Sequence, residues 1–262
     1  MASRIERAAA AAVVGSLLVA GCGSQPEPTT VITVYATSAM IHSLTEIGKT
    51  FEHNNPGATV EFIFAPSPDL ASELSSGAGA DVFVSGDPEQ MDQVAGAGLI
   101  AGAPISFASN RLVMVTAPGN PAHVVSFADL MRPGIRLAEC AGQMTCAIST
   151  RQLEHQTGLK PVPVAQEVTP TDVIRDVIHG KADVGLVFVS EAVAAGPQIT
   201  AVDFPEAADA EAICSVALLK KSEQADLSTR FIRELTGSDS RPVLAAAGFG
   251  VPPATTGASG QK

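Results

Sequence analysis

The sequence predicts an α/β fold built on mostly parallel sheets, arranged either as two domains or as one large one. Strand and helix patterns alternate along almost the whole chain, which is typical of β-α-β units whose sheets are covered by helices on both faces. The chain has 262 residues, of which 46% are hydrophobic, so it can fill sizeable cores.

The chain begins with a pattern typical of a signal peptide, over residues 1–21. Two arginines precede an apolar run from Ala8 to Gly21, which is too short to cross a bilayer comfortably. The run ends in Leu-Val-Ala-Gly-Cys, the lipobox pattern of bacterial lipoproteins. We therefore expect a lipid on Cys22, a polar tether over residues 22–30, and anchoring at the outer face of the cell membrane. The alternative is an ordinary signal peptide with a chance cysteine.

Strands and helices alternate regularly from residue 31 to residue 98. β-branched or alternating runs predict the strands, and apolar residues three or four apart predict the helices. Glycine at 96 or 98 is expected to end the third helix. The predicted strands are Val31–Tyr35, Ala58–Phe64 and Asp81–Val84, and the predicted helices are Met40–Phe51, a segment around Leu70 and Leu74, and one opened by Asp87-Pro88-Glu89.

The same patterns continue from residue 111 to the C-terminus, where residues 253–262 are expected to form a disordered tail. Gly158 and Gly180 are expected to end two of the helices. The predicted strands are Arg111–Thr116, Arg136–Cys140, Val184–Val189, Ile199–Phe204 and Ser215–Leu219. The predicted helices are Phe127–Met131, Ala147–Thr157, a segment around Val173–Ile178, one starting at Ser190-Glu191, Leu227–Leu235 and Arg241–Ala247.

The charge balance excludes some classes of partner. The formal net charge is −11, and removing residues 1–21, with their net charge of +1, leaves −12. An acidic surface of this kind argues against nucleic acid and against anionic membrane faces, so we expect the membrane to be contacted only through the lipid. Scarce aromatic residues, with no Trp and one Tyr, weigh against sugar and peptide ligands.

Three cysteines remain for an oxidising compartment once Cys22 is lipidated. The short interval between Cys140 and Cys146 favours a small disulfide loop, which would leave Cys214 as a buried strand thiol. Pairing of Cys214 with either of the others stays open on spacing alone. The sequence has no Cys-His spacing typical of a metal site, and we expect no cofactor.

Four strand-to-helix junctions share one kind of chemistry, because each places small or hydroxyl residues where a predicted helix starts. Open α/β sheets bind ligands at the carboxyl ends of their strands, where these junctions lie. Plain helix capping is the simpler explanation for any one of them, with Thr37 or Ser38, Ser67 and Thr169 as the caps. The four junctions are Tyr35–Met40, Ala65–Leu70, Gln143–Ile148 and Val168–Asp172.

If the four junctions meet in one cleft, they form a receptor for a small, fully ionised oxyanion. Helix starts supply unpaired N–H groups, and the Ser and Thr hydroxyls add further donors without any charged side chain. Each hydrogen bond to a charged group contributes about 1.5–3 kcal/mol, so several together can offset the dehydration of a dianion.

Enzymatic function finds little support in the sequence. The chain has no Gly-x-Ser-x-Gly elbow, no His-Glu-x-x-His motif and no phosphate-binding Gly-Lys loop, and its five histidines are scattered. Asp87 is more simply a helix cap than a catalytic acid. A surface hydrolase stays the least favoured alternative. A binding protein for a small organic acid usually places an arginine against the carboxylate. No arginine lies at the four junctions, although Arg151 lies one turn into the helix that follows the third junction, so this alternative stays open.

Several segments resemble the periplasmic molybdate-binding proteins of ABC importers, which have the class II periplasmic-binding-protein fold. The most specific segment is 77–87, Gly-Ala-Gly-Ala-Asp-Val-Phe-Val-Ser-Gly-Asp, and segments 31–38, 110–115, 180–188 and 247–249 match as well. The resemblance covers about residues 31–252. It implies a lipoprotein that captures molybdate or tungstate for an ABC permease, acts as a monomer and is not an enzyme. Sulfate or phosphate is the alternative ligand.

The resemblance also implies a set of oxyanion-binding residues, some of which depart from the family pattern. A family serine falls on Ala39, beside Ser38, and a second falls on Ser67. The family's Tyr falls on Phe188, which lacks the hydroxyl, and its Val falls on Pro170, which lacks the N–H, so Thr171 would substitute. The expected set is Thr37, Ser38, Ala39 and Ser67 from one lobe and Ala147, Thr171 and Phe188 from the other.

These observations together predict two lobes with the oxyanion in the cleft between them. Lobe I is expected over residues 31–110 plus 212–252, and lobe II over residues 111–211. The two chain segments that cross between the lobes would form the hinge.

Overall fold

The computed structural model describes residues 29–253 and contains two five-stranded sheets flanked by helices. It confirms the predicted two-lobed α/β fold. The predicted signal peptide, the lipidation site Cys22, most of the tether and almost all of the predicted tail lie outside the described residues. Within residues 29–253, no helix combines the length and the apolar character needed to cross a bilayer.

The strands and helices alternate in chain order, with four short 3-10 segments between them. The strands are β1 (Thr30–Thr37), β2 (Ala58–Ala65), β3 (Val82–Ser85), β4 (Ile105–Asn110), β5 (Leu112–Thr116), β6 (Leu137–Cys140), β7 (Ala165–Glu167), β8 (Val184–Phe188), β9 (Thr200–Val202) and β10 (Ala212–Leu218). The helices are α1 (Ile41–Asn54), α2 (Ser67–Ser75), α3 (Pro88–Gly96), α4 (Thr145–Thr157), α5 (Pro170–Ile178), α6 (Val189–Ala195), α7 (Ala225–Thr236) and α8 (Arg241–Ala246). The 3-10 segments are Ser38–Met40, Phe127–Met131, Gly196–Gln198 and Pro205–Ala210.

The two sheets have the same topology. The first has the order β2-β1-β3-β10-β4 and the second the order β7-β6-β8-β5-β9. In each sheet four strands run in one direction and one is reversed, namely β10 in the first and β5 in the second. Each reversed strand follows directly after the chain has crossed from the other sheet. Since the chain enters the sheet at the end where the parallel strands finish, the reversed strand must run antiparallel to them.

Two predicted features of the strands needed correction. β4 and β7 were not predicted, because Ile-Ser-Phe-Ala-Ser-Asn and Ala-Gln-Glu have few β-branched residues. The strand predicted at Ile199–Phe204 is reduced to Thr200–Val202, and a 3-10 segment follows it. Both β7 and β9 are short edge strands, which receive support from one neighbour only.

Two of the expected helix caps are confirmed and two are wrong. The Asp87 carboxylate accepts from the Gln90 N–H at 3.0 Å, and the Thr169 hydroxyl accepts from the Asp172 N–H at 3.1 Å. By contrast, Pro66 occupies the cap position of α2, so Ser67 is the first helical residue. Thr37 precedes a 3-10 turn and makes no capping hydrogen bond. The two hydroxyls nearest the carboxyl ends of β1 and β2 are therefore not used as caps.

Gly185 in the middle of β8 is required by close packing. A Cβ atom at this position would lie 2.8 Å from Val173 Cγ1, 2.9 Å from Val115 Cγ2 and 3.2 Å from Val177 Cγ2. We expect Gly185→Ala to lower the free energy of unfolding by about 1–3 kcal/mol, because three branched side chains from α5 and β5 must move. Urea denaturation measures this loss. Gly79→Ala is the control, since its Cβ would enter open space at an unstrained backbone position, and a loss there as large as at 185 would contradict the packing argument.

Candidate functional site

A cavity of about 820 Å³ lies where the carboxyl ends of strands from both sheets meet. The first sheet contributes the residues that follow β1, β2 and β3, and the second contributes the residues that follow β6, β7 and β8. Of the seven residues expected to contact an oxyanion, six line this cavity, and Ala147 does not. The six are Thr37, Ser38, Ala39, Ser67, Thr171 and Phe188.

The first junction, after β1, places three consecutive residues on the wall. Thr37 is buried, Ser38 is exposed and Ala39 is half-buried. Gly86, at the end of β3, packs directly against Thr37, since a Cβ there would lie 3.0 Å from Thr37 Oγ1. This close approach brings the ends of β1 and β3 together on one side of the cavity.

Ser67 is the most deeply buried hydroxyl residue on the cavity wall. It is 1% exposed and its Oγ accepts from the Gly86 N–H at 3.0 Å. Because the oxygen is used as an acceptor, the hydroxyl proton remains available to donate into the cavity. Ser67 also begins α2, where the next residue, Pro68, has no N–H. The Asp69 N–H donates to the Pro66 carbonyl at 3.0 Å, so the N–H of Ser67 itself is the backbone donor that this helix start offers a ligand. Its position therefore suits an anion bound at the helix start.

The third junction, at the start of α4, contributes residues adjacent to the one expected. Met144, Thr145 and Cys146 line the cavity, whereas Ala147 is buried behind them. Cys140 is bonded to Cys146, which ties the start of α4 to the end of β6. Cys214 is a buried free thiol in β10. The disulfide thus restricts the loop that forms this part of the wall.

A hydrogen bond at the start of α4 connects the two sides of the cleft beside the cavity. The Thr145 hydroxyl at the start of α4 donates to Asp87 Oδ2, just before α3, at 3.3 Å. Asp87 is buried, and burial raises the pKa of its carboxyl above the usual value despite the hydrogen bonds it accepts. This contact joins the first and second sheets across the cleft in the arrangement that the structure shows.

The fourth junction, before α5, has fewer available donors than the sequence suggested. The Thr169 hydroxyl donates to Asp172 Oδ2 at 2.8 Å, so its proton is already used. Pro170 has no N–H. Thr171 is exposed on the wall, and the buried Phe188 ring lies on the same side of the cavity without a polar atom. Thr171 is therefore the residue of this junction with a hydroxyl available for a ligand.

The rear of the cavity contains polar residues that sequence reasoning missed. Asn110, at the end of β4, donates through Nδ2 to Ser190 Oγ at 2.8 Å, and Glu191 and Cys214 lie beside this pair on the wall. Burial raises the pKa of Glu191 to about 7. Ser190 and Glu191 lie two and three residues after the end of β8, in the first turn of α6, and that position after a strand was the signal available in the sequence.

The cavity wall has little charge and no cationic side chain of the lysine or arginine type. The titratable or charged residues on it are His42, Glu46, Glu191 and Cys214, and no lysine or arginine of residues 29–253 lines it. Arg151 donates instead to the Gly142 carbonyl at 3.0 Å. Any anion held here by side chains and backbone must therefore be held mainly by uncharged donors.

Comparison with known proteins places this architecture among solute-binding proteins. Residues 32–250 match the family model of bacterial extracellular solute-binding proteins. The molybdate-binding protein ModA of Mycobacterium tuberculosis is 42% identical over 252 residues, covering 92% of this chain and 97% of the relative.

Two solved structures share the fold at lower sequence identity. The periplasmic molybdate-binding protein of Azotobacter vinelandii superimposes with a TM-score of 0.71 at 18% identity, covering 84% of this chain and 99% of that chain. The sulfate-binding protein SubI of Mycobacterium tuberculosis gives a TM-score of 0.70 at 20% identity, covering 86% of this chain and 88% of that chain. At these identities the likeness establishes the fold alone.

Proposed function

The chain belongs to the family of bacterial extracellular solute-binding proteins, and we propose that it binds molybdate for delivery to an ABC permease. Tungstate, which has nearly the same size and charge, is expected to bind as well. The observation that carries the proposal is the cavity wall, where hydroxyl groups and helix starts converge without lysine or arginine. Uncharged donors of this kind hold a fully ionised anion through charge-assisted hydrogen bonds.

The binding residues we propose come from both sides of the cleft. Thr37, Ser38 and Ser67 supply hydroxyls, Ala39 supplies a backbone N–H, and Thr171 supplies a donor from the opposite side. The start of α4 adds backbone donors at Thr145 and Cys146, the residues next to Ala147. Phe188 contributes an apolar wall that keeps water away from these hydrogen bonds.

Closure of two lobes around the ligand follows from this division of the donors. We propose lobes at residues 31–110 plus 212–252 and at residues 111–211, with the hinge where the chain crosses between them. Only a closed form brings both donor sets to one ligand, so the ligand shifts an open–closed equilibrium towards the closed form. The closed form is the one that would dock on the permease.

The protein is proposed to act at the outer face of the cell membrane as a monomer. The lipobox pattern before Cys22 supports anchoring through a lipid on that cysteine. Binding rather than catalysis is proposed because the matching family model and the similar relative describe solute-binding proteins.

Isothermal titration calorimetry with molybdate, tungstate, sulfate, phosphate and chromate tests the proposed ligand. We expect saturable 1:1 binding of molybdate and tungstate and much weaker binding of sulfate, whose smaller size would stretch the hydrogen bonds. Tight sulfate or phosphate binding together with no heat for molybdate would instead identify a binding protein for that other oxyanion.

A further inference from the structure

Glu191 is an unusual residue for a cavity that binds an anion. It is the third residue of α6 and forms part of the cavity wall behind Phe188. Its Oε2 atom is buried and has no hydrogen-bond partner among residues 29–253. A buried carboxylate oxygen without a partner is costly, and an ionised carboxyl beside the cavity would also repel a dianion bound there. An ionised Glu191 and a dianion would therefore destabilise each other in this cavity.

The surroundings of Glu191 offer it no cationic partner. Burial raises its pKa to about 7, and this outweighs the lowering by the nearby N–H groups of Phe188 and Glu191 and by the Ser190 hydroxyl. Cys214 of β10 is the neighbouring titratable group, and burial raises its pKa too, which keeps that thiol neutral.

The other charged groups around α6 are engaged elsewhere or lie across the cavity. Arg175 of α5 pairs with Asp172 at 2.6 Å, Lys181 pairs with Asp176 at 2.8 Å, and Arg111, just before β5, pairs with Asp203 at 2.9 Å. Asp87, which precedes α3, is held by Gln90 and Thr145, and α1 contributes His42 and Glu46 to the wall.

We propose that Glu191 is protonated when the oxyanion is bound, so that oxyanion binding takes up one proton from solvent. This inference rests on the proposed function. Protonation removes the negative charge that would otherwise lie beside Phe188 and repel the bound dianion.

The sign of the pH dependence follows from this linkage. A bound dianion disfavours the carboxylate, so the pKa of Glu191 is higher in the complex than in the free protein. Below about pH 7 the free protein already carries the proton, and affinity is independent of pH. Above that pH a proton must be taken up with the ligand, and the dissociation constant rises by up to tenfold for each pH unit.

Calorimetric titration with molybdate between pH 6 and pH 8.5, in two buffers of different ionisation enthalpy, tests the inference on the full chain. We expect proton uptake to rise from near zero towards one, while the dissociation constant rises above pH 7. In Glu191→Gln, whose amide stays uncharged at every pH, both effects should disappear. His42→Gln should keep the wild-type pH profile, and Asp69→Asn, an exposed carboxylate outside the cavity wall, should behave as wild type.

Each other outcome separates this inference from the proposed function. Molybdate binding with no proton uptake and no change between pH 6 and pH 8.5 would overturn the role of Glu191 and leave the function intact. Loss of the uptake in His42→Gln, or its persistence in Glu191→Gln, would assign the proton to another group. Failure of any oxyanion to bind at any pH would overturn the proposed function itself. If Glu191→Gln does not fold, wild-type and His42→Gln titrations still decide the question.

Discussion

Replacing Phe231 with alanine is expected to lower the free energy of unfolding by about 3–5 kcal/mol, the usual cost of removing a fully buried aromatic side chain. Phe231, in α7, has no exposed surface. Its ring meets that of Phe51 in α1 edge to face at a centroid distance of 5.4 Å, and that of Phe62 in β2 at 6.0 Å. The cavity left by truncation would thus remove contacts with two elements of the first sheet's core.

Removing the Phe231 ring also weakens the packing of the C-terminal part of the chain against the first sheet. α7 follows β10, which returns to the first sheet after the chain has built the second. Phe231 and Phe51 therefore connect segments that are distant in sequence, and this contact stabilises the packing of the C-terminal segment on the first sheet. Thermal or urea unfolding measures the effect. The control is Val162→Ala, where the side chain is 84% exposed and the expected change is within about 0.5 kcal/mol. Equal losses in both variants would contradict the assignment of Phe231 to the core.

The fold was predictable where the hydrophobic pattern and the tertiary structure agree. The strands that became β1, β2 and β8 carry runs of β-branched or apolar residues, and α5 and α7 have apolar residues at helical spacing. β4 was not predictable in this way, because it is held by its pairing with β10, a strand about 100 residues later. That pairing depends on the path of the whole chain and leaves little trace in the local sequence.

The site was predictable in its general chemistry but not in its individual contacts. The junctions after β1, β2, β6 and β7 meet at one cavity, as the rule for open α/β sheets led us to expect. The exact helix starts shifted by one or two residues, and this shift places Thr145 and Cys146 on the wall and Ala147 behind it. Glu191 was missed because its importance comes from burial and from the absence of a cationic neighbour, which only the packed structure reveals.

Replacing Ser67 with alanine is expected to weaken molybdate binding by about 1.5–3 kcal/mol, which is about 10- to 150-fold in the dissociation constant. The reason is the double use of this hydroxyl. Its oxygen accepts from the Gly86 N–H at 3.0 Å, and in the proposed site its proton is donated to the anion, whose charge would strengthen the hydrogen bond. Calorimetry at a pH below 7 measures the change without the titration of Glu191.

A control on the same helix separates the ligand hydrogen bond from a general effect on α2. Ser72 lies on the exposed face of α2, and Ser72→Ala should bind molybdate as the unaltered protein does. Ser67→Ala should also lose about 1 kcal/mol of stability, because the Gly86 N–H loses its acceptor. That loss of stability accompanied by unchanged affinity would mean that the Ser67 hydroxyl serves only to hold the end of β3 against α2. Loss of both quantities is expected if one buried hydroxyl holds the wall in place and binds the ligand, since the Gly86 contact fixes the oxygen from which the proton is donated.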